Sequence, residues 1–413
     1  MIKRKVSIIV IGGGAAGLAA AIAAKESGVN SILVLERNSE LGGILPQCIH
    51  TGFGLHYFKE NLTGPEYISR FIDKVLDLGI EYKVETMVLS LSARREVWAV
   101  NRHDGLMNLK ADAIILAMGC RERSRGALCI PGTRPAGIFT AGTAQRLMDI
   151  EGFIPGRKVL ILGSGDIGLI MARRFAMEGV EVVGVVEVMP YPGGLDRNLQ
   201  CLKDFDIPLY LKHAATFIHG SNRVEAVTIS KLDDDGKPIA GEEKTIRCDT
   251  LILSVGLIPE NELSKGAGIM LDSKTGGPIV DENMETSVEG VFACGNVVHV
   301  HDLVDHVTQN GETAGKNAAK KVLGELSPLK RKIHLEPMGN IRYVVPQIIS
   351  GEKPLTLFSR VKKPAFNAKI VIGERILIHK RAVKPPELVT IQLTSESLRK
   401  IPIEKNELTV NME

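Results

Sequence analysis

Six residues near the start of the chain have the types and spacing of a dinucleotide-binding loop. They are Gly12-Gly13-Gly14-Ala15-Ala16-Gly17, a GxGxxG pattern that directly follows a short apolar run. In such a loop Gly12 permits a tight turn, Gly14 lets the backbone approach a pyrophosphate, and Gly17 allows the next helix to pack closely. The predicted chemistry is phosphate binding at a helix N-terminus, where the partial positive charge of the helix attracts anions.

The elements around this loop complete the pattern. Val6–Ile11 predicts a strand buried on both faces, Leu18–Glu26 an alanine-rich helix, and Ser31–Leu35 a second strand. Glu36 ends the second strand 24 residues after Gly12, where a carboxylate can accept hydrogen bonds from the hydroxyl groups of an adenosine ribose. Strand, loop, helix, strand and acid together predict a dinucleotide site rather than an ordinary glycine turn.

The same unit returns in the middle of the chain. Lys158–Leu162 predicts a strand, the loop Gly163-Ser164-Gly165-Asp166-Ile167-Gly168 follows, and Leu169–Glu178 predicts a helix. Glu181–Val186 predicts the next strand, and Glu187 again comes 24 residues after the first glycine. Residues 188–192 carry no cation, and the carboxylate would repel a 2′-phosphate, so we expect NADH to be preferred over NADPH.

Length, charge and cysteine spacing limit the protein classes to consider. The 413 residues predict two or three domains at roughly 100–200 residues per domain. The net charge of +3 gives no support for nucleic-acid binding, and the six cysteines form no CxxC pair for a zinc ribbon, a redox dithiol or an iron–sulfur centre. No apolar run approaches the roughly 18–20 residues of a membrane span, and the basic start favours a first strand over a signal peptide. We expect a cytoplasmic protein.

Three further segments resemble the glutathione reductase-like pyridine nucleotide:flavin oxidoreductases, and the resemblance spans roughly residues 5–325. Ala111–Cys120 (ADAIILAMGC) is similar to a strand that ends in A-T-G in this family, with Met118 in place of threonine. Thr250–Gly256 is similar to the strand that leaves the NAD domain. Gly290–Asn296 is similar to the segment whose final aspartate binds the ribityl chain of the flavin, with Asn296 in place of that aspartate.

Other segments resemble a narrower group, the NAD/FAD-dependent subunits that accompany glycerol-3-phosphate dehydrogenase-like flavoproteins. Residues 42–58, 119–132 and 300–311 carry this resemblance, which extends to the alpha subunits of opine oxidase, hydrogen cyanide synthase and dye-linked proline dehydrogenase. Relatives of the opine oxidase type often add cysteine clusters for iron–sulfur binding. This chain has none, so we expect any such centre to lie on another subunit.

The resemblance implies an α/β fold with two Rossmann-like domains and a small β-rich C-terminal module. The FAD domain is expected to be discontinuous, with residues 1–120 and 260–325, and the NAD(P)H domain is expected to be inserted as residues 121–259. Residues 327–413 predict short strands at Asn340–Val345, Ala368–Ile372, Arg375–His379 and Leu388–Leu393. This module is expected to dock a partner or to serve as a dimerisation lid.

The resemblance also implies a set of cofactor-binding residues for FAD at the first loop and NAD(H) at the second. They are Gly12, Gly14, Ala15, Ala16, Gly17, Glu36, Arg37, Gly43, Ala117, Gly119, Gly295, Asn296 and Thr308 for FAD, and Gly163, Gly165, Asp166, Ile167, Gly168, Glu187 and Gly256 for NAD(H). Thr308 and Gln309 are expected near the C2 carbonyl of the flavin. Arg121 and Arg123 either reach cofactor phosphates or form part of the interdomain hinge, with a solvated surface pair as the alternative.

Cys48 and His50, in the segment that follows Glu36, are candidates for catalysis. Cys48 lies where related enzymes carry a redox thiol beside the flavin, although an inert thiol packed against the ring is the alternative. His50 is either a proton donor or a hydrogen-bonded wall residue. The His and Asp residues of Val297–His306 lack the rest of a metal site, so we expect this run to start the helix that continues to Leu323.

Three functions follow from this pattern. The first is an FAD-dependent NAD(H) oxidoreductase that transfers hydride between NADH and flavin and exchanges electrons with a partner dehydrogenase, such as a glycerol-3-phosphate dehydrogenase-like subunit. The second is a stand-alone NADH oxidase or peroxidase that uses Cys48. The third is a non-catalytic assembly subunit that senses nucleotides. In each case we expect a homo- or hetero-oligomer.

Overall fold

The computed structural model describes residues 2–373, 375–399, 401 and 406–412. They form two compact units, one from residues 1–120 with 259–413 and the other from residues 121–258. Each unit contains a sheet whose central strands are parallel, together with helices, which confirms the predicted α/β class.

The first 120 residues build most of a seven-stranded sheet. Their elements are β1 (Ile2–Ile11), α1 (Ala15–Glu26), β2 (Ile32–Leu35), β3 (Thr51–Phe53), β4 (Leu62–Thr63), α2 (Gly64–Asp77), β5 (Glu81–Lys83), β6 (Met87–Leu91), β7 (Glu96–Asn101) and β8 (Gly105–Leu116). Strands β5, β2, β1 and β8 are parallel neighbours, and β7 and β6 continue the sheet in antiparallel pairing. All four residues of β2 and the last four of β1 are buried, as the predicted apolar runs require.

The second unit contains the second glycine loop. Its elements are β9 (Cys120–Glu122), α3 (Arg125–Leu128), β10 (Ile138–Thr140), α4 (Ala141–Asp149), β11 (Lys158–Leu162), α5 (Asp166–Met177), β12 (Glu181–Glu187), α6 (Asp196–Asp204), β13 (Leu209–Leu211), β14 (His213–His219), β15 (Ala226–Leu232), β16 (Pro238–Arg247), β17 (Thr250–Leu253) and β18 (Leu257–Pro259). Strands β10, β17, β11, β12 and β13 form a parallel sheet in that order, and β14, β15 and β16 form an antiparallel one.

The chain then returns to the first unit. The next elements are α7 (Glu262–Gly266), β19 (Val291–Ala293) and α8 (Val304–Val322), and β19 pairs in parallel with β8. Helix α8 packs very closely on α1, because a Cβ atom added at Gly311 or Gly315 would lie 2.3 Å from the Ala16 carbonyl oxygen or 2.1 Å from that of Ala20. Helix α1 is therefore almost entirely buried, which explains its composition of small apolar residues.

The C-terminal module has a hydrophobic core of its own. Its elements are β20 (Ile333–Pro337), β21 (Ile341–Val345), β22 (Ile348–Ile349), β23 (Leu355–Val361), β24 (Ala365–Ile372), β25 (Arg375–Val383), β26 (Val389–Leu393), α9 (Ser395–Arg399) and β27 (Glu407–Met412). One sheet has the order β22-β20-β27-β24-β25 and the other β21-β23-β26. The four strands predicted in this region all occur, each within a few residues of its predicted ends.

The start of the long helix differs from the prediction. Helix α8 begins only at Val304, and most of the preceding residues form a short 3-10 turn and a loop. The physical reason is local, because the Asn296 side-chain oxygen accepts a hydrogen bond from the His301 backbone amide at 3.0 Å, and Leu303 is extended. The clustered His and Asp residues therefore lie mainly on a loop rather than on the helix.

Candidate dinucleotide-binding sites

Two glycines of the first loop are required by the packing of the loop itself. Gly12 has a φ of 107°, and a Cβ atom there would lie 2.4 Å from the carbonyl oxygen of Ala117, the residue after β8. A Cβ atom at Gly17 would lie 1.9 Å from the Gly12 carbonyl oxygen. Strand β1, the turn and α1 can therefore approach each other only because these positions lack a side chain.

Gly14 is different, because the space beside it is open. Among the described residues, a Cβ atom at Gly14 would meet only the Gly43 Cα within 4 Å, at 3.6 Å. Gly14 caps the N-terminus of α1, whose first turn contains no acidic residue. The loop therefore presents backbone and a positive helix end to an open space, which is the environment that a pyrophosphate needs.

The carboxylate of Glu36 is fixed beside this loop. Its Oε2 accepts the Gly13 amide at 2.8 Å, and its Oε1 accepts the Asn38 amide at 2.8 Å. Glu36 is buried. A carboxylate has about four lone-pair positions, so two hydrogen bonds to amides leave acceptor capacity for ribose hydroxyl groups.

Residues from the C-terminal part of the first unit lie beside the same glycine loop. A Cβ atom at Gly295 would lie 2.8 Å from the Ala16 Cβ, and the Gly295 amide donates to the Asn310 side-chain oxygen at 2.7 Å. Asn296 follows directly, and its side-chain nitrogen lies 3.8 Å from the Cys120 sulfur. The structure therefore places Ala16, Ala117 and Gly295 around the first glycine loop.

The other residues assigned to FAD have varied surroundings. Arg37 and Gly43 are exposed, and Ala15 is buried at the start of α1. Gly119 has a φ of 72°, and its carbonyl oxygen accepts the Glu260 amide at 3.0 Å. Thr308 is buried in α8, where its hydroxyl lies 2.7 Å from that of Tyr67, whereas Gln309 is exposed.

Cys48 and His50 lie in the segment between β2 and β3. The Cys48 thiol is buried and donates to the Ile44 carbonyl oxygen at 3.4 Å. The His50 Nδ1 lies 3.1 Å from the Thr51 carbonyl oxygen, and its ring centroid lies 5.1 Å from that of Phe53. No disulfide joins any of the six cysteines, all of which fall within the described residues. The redox role of Cys48 and the proton-donor role of His50 stay predictions.

The second glycine loop repeats the geometry of the first. Gly163 has a φ of 98°, and a Cβ atom there would lie 2.0 Å from the Ser254 carbonyl oxygen, while one at Gly168 would lie 2.3 Å from the Gly163 carbonyl oxygen. Gly165 caps α5 with a φ of −66°, and a Cβ atom there would meet no described atom within 4 Å. The same division thus appears in both units, with two glycines required by packing and one facing open space.

Glu187 is held in the same manner as Glu36. Its Oε2 accepts the Ser164 amide at 3.0 Å and the Ser164 hydroxyl at 2.6 Å, and its Oε1 accepts the Met189 amide at 3.0 Å. Asp166 serves a neighbouring loop, because its Oδ1 accepts the Leu195 amide at 2.8 Å. Ile167 is exposed at the start of α5, and Gly256 has a φ of 103° after β17.

A cluster of His and Asp side chains close to Asn296 contains buried polar atoms that have no hydrogen-bond partner among the described residues. Five of the six buried side-chain nitrogen and oxygen atoms without a hydrogen-bond partner among the described residues belong to His299, His301, Asp305 and His306. Burial lowers the pKa of His299 to about 3 and lowers the pKa values of His301 and His306 as well. Buried polar groups in native proteins normally find a partner, so this cluster points to a bound ligand or ordered water.

These features fit the two cofactors at the level of chemistry. Gly14 and Gly165 leave open space at helix N-termini, Glu36 and Glu187 offer acceptors for ribose hydroxyl groups, and Asn296 lies beside unpartnered polar atoms. No group of three or more His, Cys, Asp or Glu side chains in the described part of the chain is arranged to hold a metal ion.

Several residues of the candidate sites carry no signal in the sequence. Ser164, which connects Glu187 to the Gly193 amide, occupies a variable position of the glycine pattern. The Asn310 side chain accepts a hydrogen bond from the Gly295 amide across 15 residues of sequence, and the His301 ring is tilted against that of His299 with ring centroids 4.0 Å apart. Such contacts depend on how α8 and its preceding loop return to the sheet, which no local spacing indicates.

Comparison with known proteins places this geometry in a family context. Residues 6–318 match the family model described as pyridine nucleotide-disulphide oxidoreductase. The chain is 24% identical to an opine oxidase subunit of Agrobacterium tumefaciens (strain Ach5), a match that covers 77% of this chain and 65% of that protein. It is 27% identical to the HcnB subunit of hydrogen cyanide synthase from Pseudomonas protegens, over 63% of this chain and 58% of that protein. The chain thus spans about three fifths of the length of these relatives.

Solved structures show the same fold. Thioredoxin reductase of T. acidophilum superimposes with a TM-score of 0.63 at 24% identity, and the match covers 78% of this chain and 99% of the reductase. Among the described helices, none has the length and apolar character that crossing a membrane requires.

Proposed function

Because this chain belongs to the pyridine nucleotide-disulphide oxidoreductase family, whose members use FAD and NAD(P)H, we propose that it is an FAD-dependent NAD(H) oxidoreductase. Residues around Gly12–Gly17 hold FAD, and residues around Gly163–Gly168 bind NADH during turnover. When bound, FAD would supply a ring that accepts the hydride of the nicotinamide, which carries both electrons, or returns it. Hydride transfer requires no general base, so the role of this chain is to bind and orient two dinucleotides.

The observation that carries this proposal is a glycine loop with a buried carboxylate beside it, which occurs once in each unit. In both units the first and last glycines are required by packing, whereas the middle glycine faces space that a ligand can fill. In both units a buried carboxylate 24 residues after the first glycine accepts a hydrogen bond from a loop amide. Two independent loops with the same division of roles favour two dinucleotides over two structural turns.

The surroundings of Glu187 support NADH as the preferred nicotinamide cofactor. Its carboxylate is buried and carries three hydrogen bonds, so it is fixed where an adenosine ribose is expected. The following residues Val188 and Met189 are exposed and uncharged. A 2′-phosphate would meet a carboxylate without a compensating cation from this segment.

A partner protein is part of the proposal. The opine oxidase and hydrogen cyanide synthase relatives are both named as subunits, which supports a role for this chain in an assembly. The six cysteines form no CxxC motif, so a second redox centre is expected on another chain. We expect this chain to exchange electrons with a partner dehydrogenase, for which a glycerol-3-phosphate dehydrogenase-like flavoprotein is the first candidate.

A stand-alone NADH oxidase or peroxidase is the second candidate, and it depends on Cys48. The burial of the thiol and its hydrogen bond to Ile44 favour an inert thiol over an exposed nucleophile. A third candidate, a nucleotide-sensing assembly subunit, would bind both dinucleotides without turnover.

Steady-state assays of the purified chain separate the three functions. The proposed oxidoreductase consumes NADH with a small redox dye as acceptor and is slow with oxygen or peroxide. Fast peroxide reduction without a dye would favour the second candidate. NADH binding without turnover on any acceptor, alone or with a co-purified partner, would favour the third.

A further inference from the structure

The loop before α8, residues 298–303, is bonded to Asn296, one of the residues expected to bind FAD. The His301 amide donates to the Asn296 side-chain oxygen at 3.0 Å, and the His301 Nδ1 lies 3.3 Å from the same oxygen. A backbone amide is always a donor, so this bond fixes which end of the Asn296 side chain is oxygen. The orientation of Asn296 therefore depends on the position of loop 298–303.

Loop 298–303 has few backbone hydrogen bonds of its own. In the part of the chain that the structure describes, no amide of residues 299–303 donates to a backbone carbonyl. A segment with so few internal bonds opens easily unless other parts of the protein hold it. Its position must therefore depend on contacts from outside the loop.

The C-terminal module supplies such contacts through one guanidinium. Arg360 on β23 donates to the Asp302 carboxylate, to the Val300 carbonyl oxygen at 3.3 Å, and to the Pro386 carbonyl oxygen. The Asp302 carboxylate also accepts the Leu388 amide, which directly precedes β26. The Arg360 side chain is only 15% exposed, so water competes little for these bonds. Two points of the loop are thus joined to the module.

An aromatic contact lies beside this guanidinium. The Phe358 ring centroid lies 5.3–5.5 Å from the ring centroids of His299, His301 and His306. Phe358 and Arg360 are two residues apart on β23, so both lie on the same face of the three-stranded sheet. That face of the module therefore packs on loop 298–303.

The module is also attached to the first unit at a second place. There Ile348 on β22 bridges to Asp281, and the Ser350 hydroxyl donates to Glu282 at 2.8 Å. Because this junction already attaches the module, attachment alone does not account for the bonds that Arg360 makes to the loop. Their specific consequence is a fixed position of the loop that holds Asn296.

We propose that the C-terminal module forms part of the candidate FAD site, with Arg360 as a positioning residue that holds loop 298–303 and, through His301, orients Asn296 for contact with FAD. The proposal rests on the function proposed above. The bonded partners Val300, Asp302 and Pro386 are not among the residues assigned to FAD. Arg360 therefore acts on FAD binding only through the loop.

A double-mutant cycle on FAD affinity tests this transmission. Arg360→Met removes the guanidinium and keeps an unbranched side chain, and Asn296→Ala removes the amide that His301 holds. We expect each single variant of the full-length apoprotein to bind FAD about tenfold more weakly, and the double variant to bind no more weakly than Asn296→Ala alone. Titration with FAD, followed by flavin fluorescence, measures the dissociation constants.

Asn340→Ala is the matched control within the module. The Asn340 side chain donates to the Lys363 carbonyl oxygen and accepts the Lys363 amide, both at 2.9 Å, at the end of the same three-stranded sheet. The variant loses two hydrogen bonds inside the module and leaves Arg360 in place. Its FAD affinity should stay within about twofold of the wild type.

Hydrogen exchange of the apoprotein adds a measurement that needs no cofactor. The His301 amide should exchange about tenfold faster in Arg360→Met than in the wild type, because the loop that presents it to Asn296 is held less firmly. The same amide should exchange at the wild-type rate in Asn340→Ala.

Three results would overturn the positioning role of Arg360 while leaving the proposed function in place. They are additive losses of FAD affinity in the cycle, an equal loss in Asn340→Ala, and an unchanged exchange rate of the His301 amide in Arg360→Met. A wild-type apoprotein that binds no FAD would instead overturn the oxidoreductase function, and with it any role of the module in FAD binding.

Discussion

Ser164 donates two hydrogen bonds to the same oxygen of Glu187, one from its amide at 3.0 Å and one from its hydroxyl at 2.6 Å. The same hydroxyl accepts the Gly193 amide at 2.8 Å, so the end of β12, the glycine loop and the segment after β12 are held together. Glu187 is therefore a fixed negative charge at the position where an adenosine ribose is expected. This arrangement leads directly to a prediction about cofactor choice.

Replacing Glu187→Gln should reduce discrimination against NADPH. The amide oxygen can still accept from Ser164, but the charge that repels a 2′-phosphate is lost, so the NADPH:NADH ratio of kcat/KM should rise about tenfold, which corresponds to roughly 1.4 kcal/mol. Dye-linked steady-state kinetics with both cofactors measures the ratio. The control Glu181→Gln neutralises an exposed carboxylate on the same strand and should leave it unchanged. An unchanged ratio for Glu187→Gln would mean that another group sets the preference.

Alanine at Gly14 and at Gly17 should give opposite kinds of defect. At Gly17 the new Cβ would lie 1.9 Å from the Gly12 carbonyl oxygen, so we expect the first unit to unfold or aggregate. At Gly14 the new Cβ meets only ordinary contact, so Gly14→Ala should keep its far-ultraviolet circular dichroism and lose bound flavin. Flavin content per mole of folded protein checks this. Full flavin content in Gly14→Ala would show that no ligand uses the open space beside the loop.

The buried histidines predict a loss of stability in acid. The unfolded chain binds a proton at His299 near the ordinary pKa of 6.5, whereas burial, with Arg360 and His306 nearby, delays protonation in the folded state to a pKa of about 3. The stability that neutral His299 allows is present above pH 6.5 and declines as the pH falls, by about 1.4 kcal/mol per pH unit. His301, whose pKa is also lowered, adds a loss of the same sign.

Urea unfolding at about pH 7.5 and about pH 5 measures this loss. His299→Phe replaces the ring within an aromatic environment of Tyr343 and Phe358, and it should lose about 2 kcal/mol less than the wild type between the two pH values. The exposed His103→Gln is the control and should follow the wild type. If His299→Phe loses as much stability as the wild type, the pKa of His299 is the same in the folded protein as in the unfolded chain.

Cys48→Ser should leave the reductive half of the reaction intact. The thiol is buried and donates to the Ile44 carbonyl oxygen, a contact that a serine hydroxyl can replace. We expect flavin content and the rate of NADH-dependent dye reduction to stay within about twofold of the wild type. A loss of peroxide or oxygen turnover in this variant, with dye reduction unchanged, would instead favour the oxidase or peroxidase.

Repeated local patterns in the sequence predicted the two dinucleotide-binding units. The contacts between distant segments of the first unit could not be predicted in this way. Gly12, Gly17 and Glu36 lie within one strand–loop–helix–strand unit, where short spacing fixes geometry. The bond from Gly295 to Asn310 and the contact of His299 with Phe358 join distant segments. The loop before α8 was mispredicted for this reason. The Asn296 side-chain oxygen accepts a hydrogen bond from the His301 amide, and the helix begins only at Val304.

Anaerobic titration of the wild type and of Gly165→Ala with NADH, followed by the visible absorption of bound flavin, tests whether NADH bound at the second glycine loop reduces FAD bound at the first. A Cβ at Gly165 meets no described atom within 4 Å, so the variant should fold and retain FAD while losing the backbone approach to the nicotinamide cofactor. We predict that NADH bleaches the wild-type flavin, that the same NADH concentration leaves the Gly165→Ala flavin oxidised, and that dithionite bleaches both. A wild type without flavin, a wild-type flavin that NADH fails to bleach, or equal bleaching of both proteins would contradict the proposed oxidoreductase function.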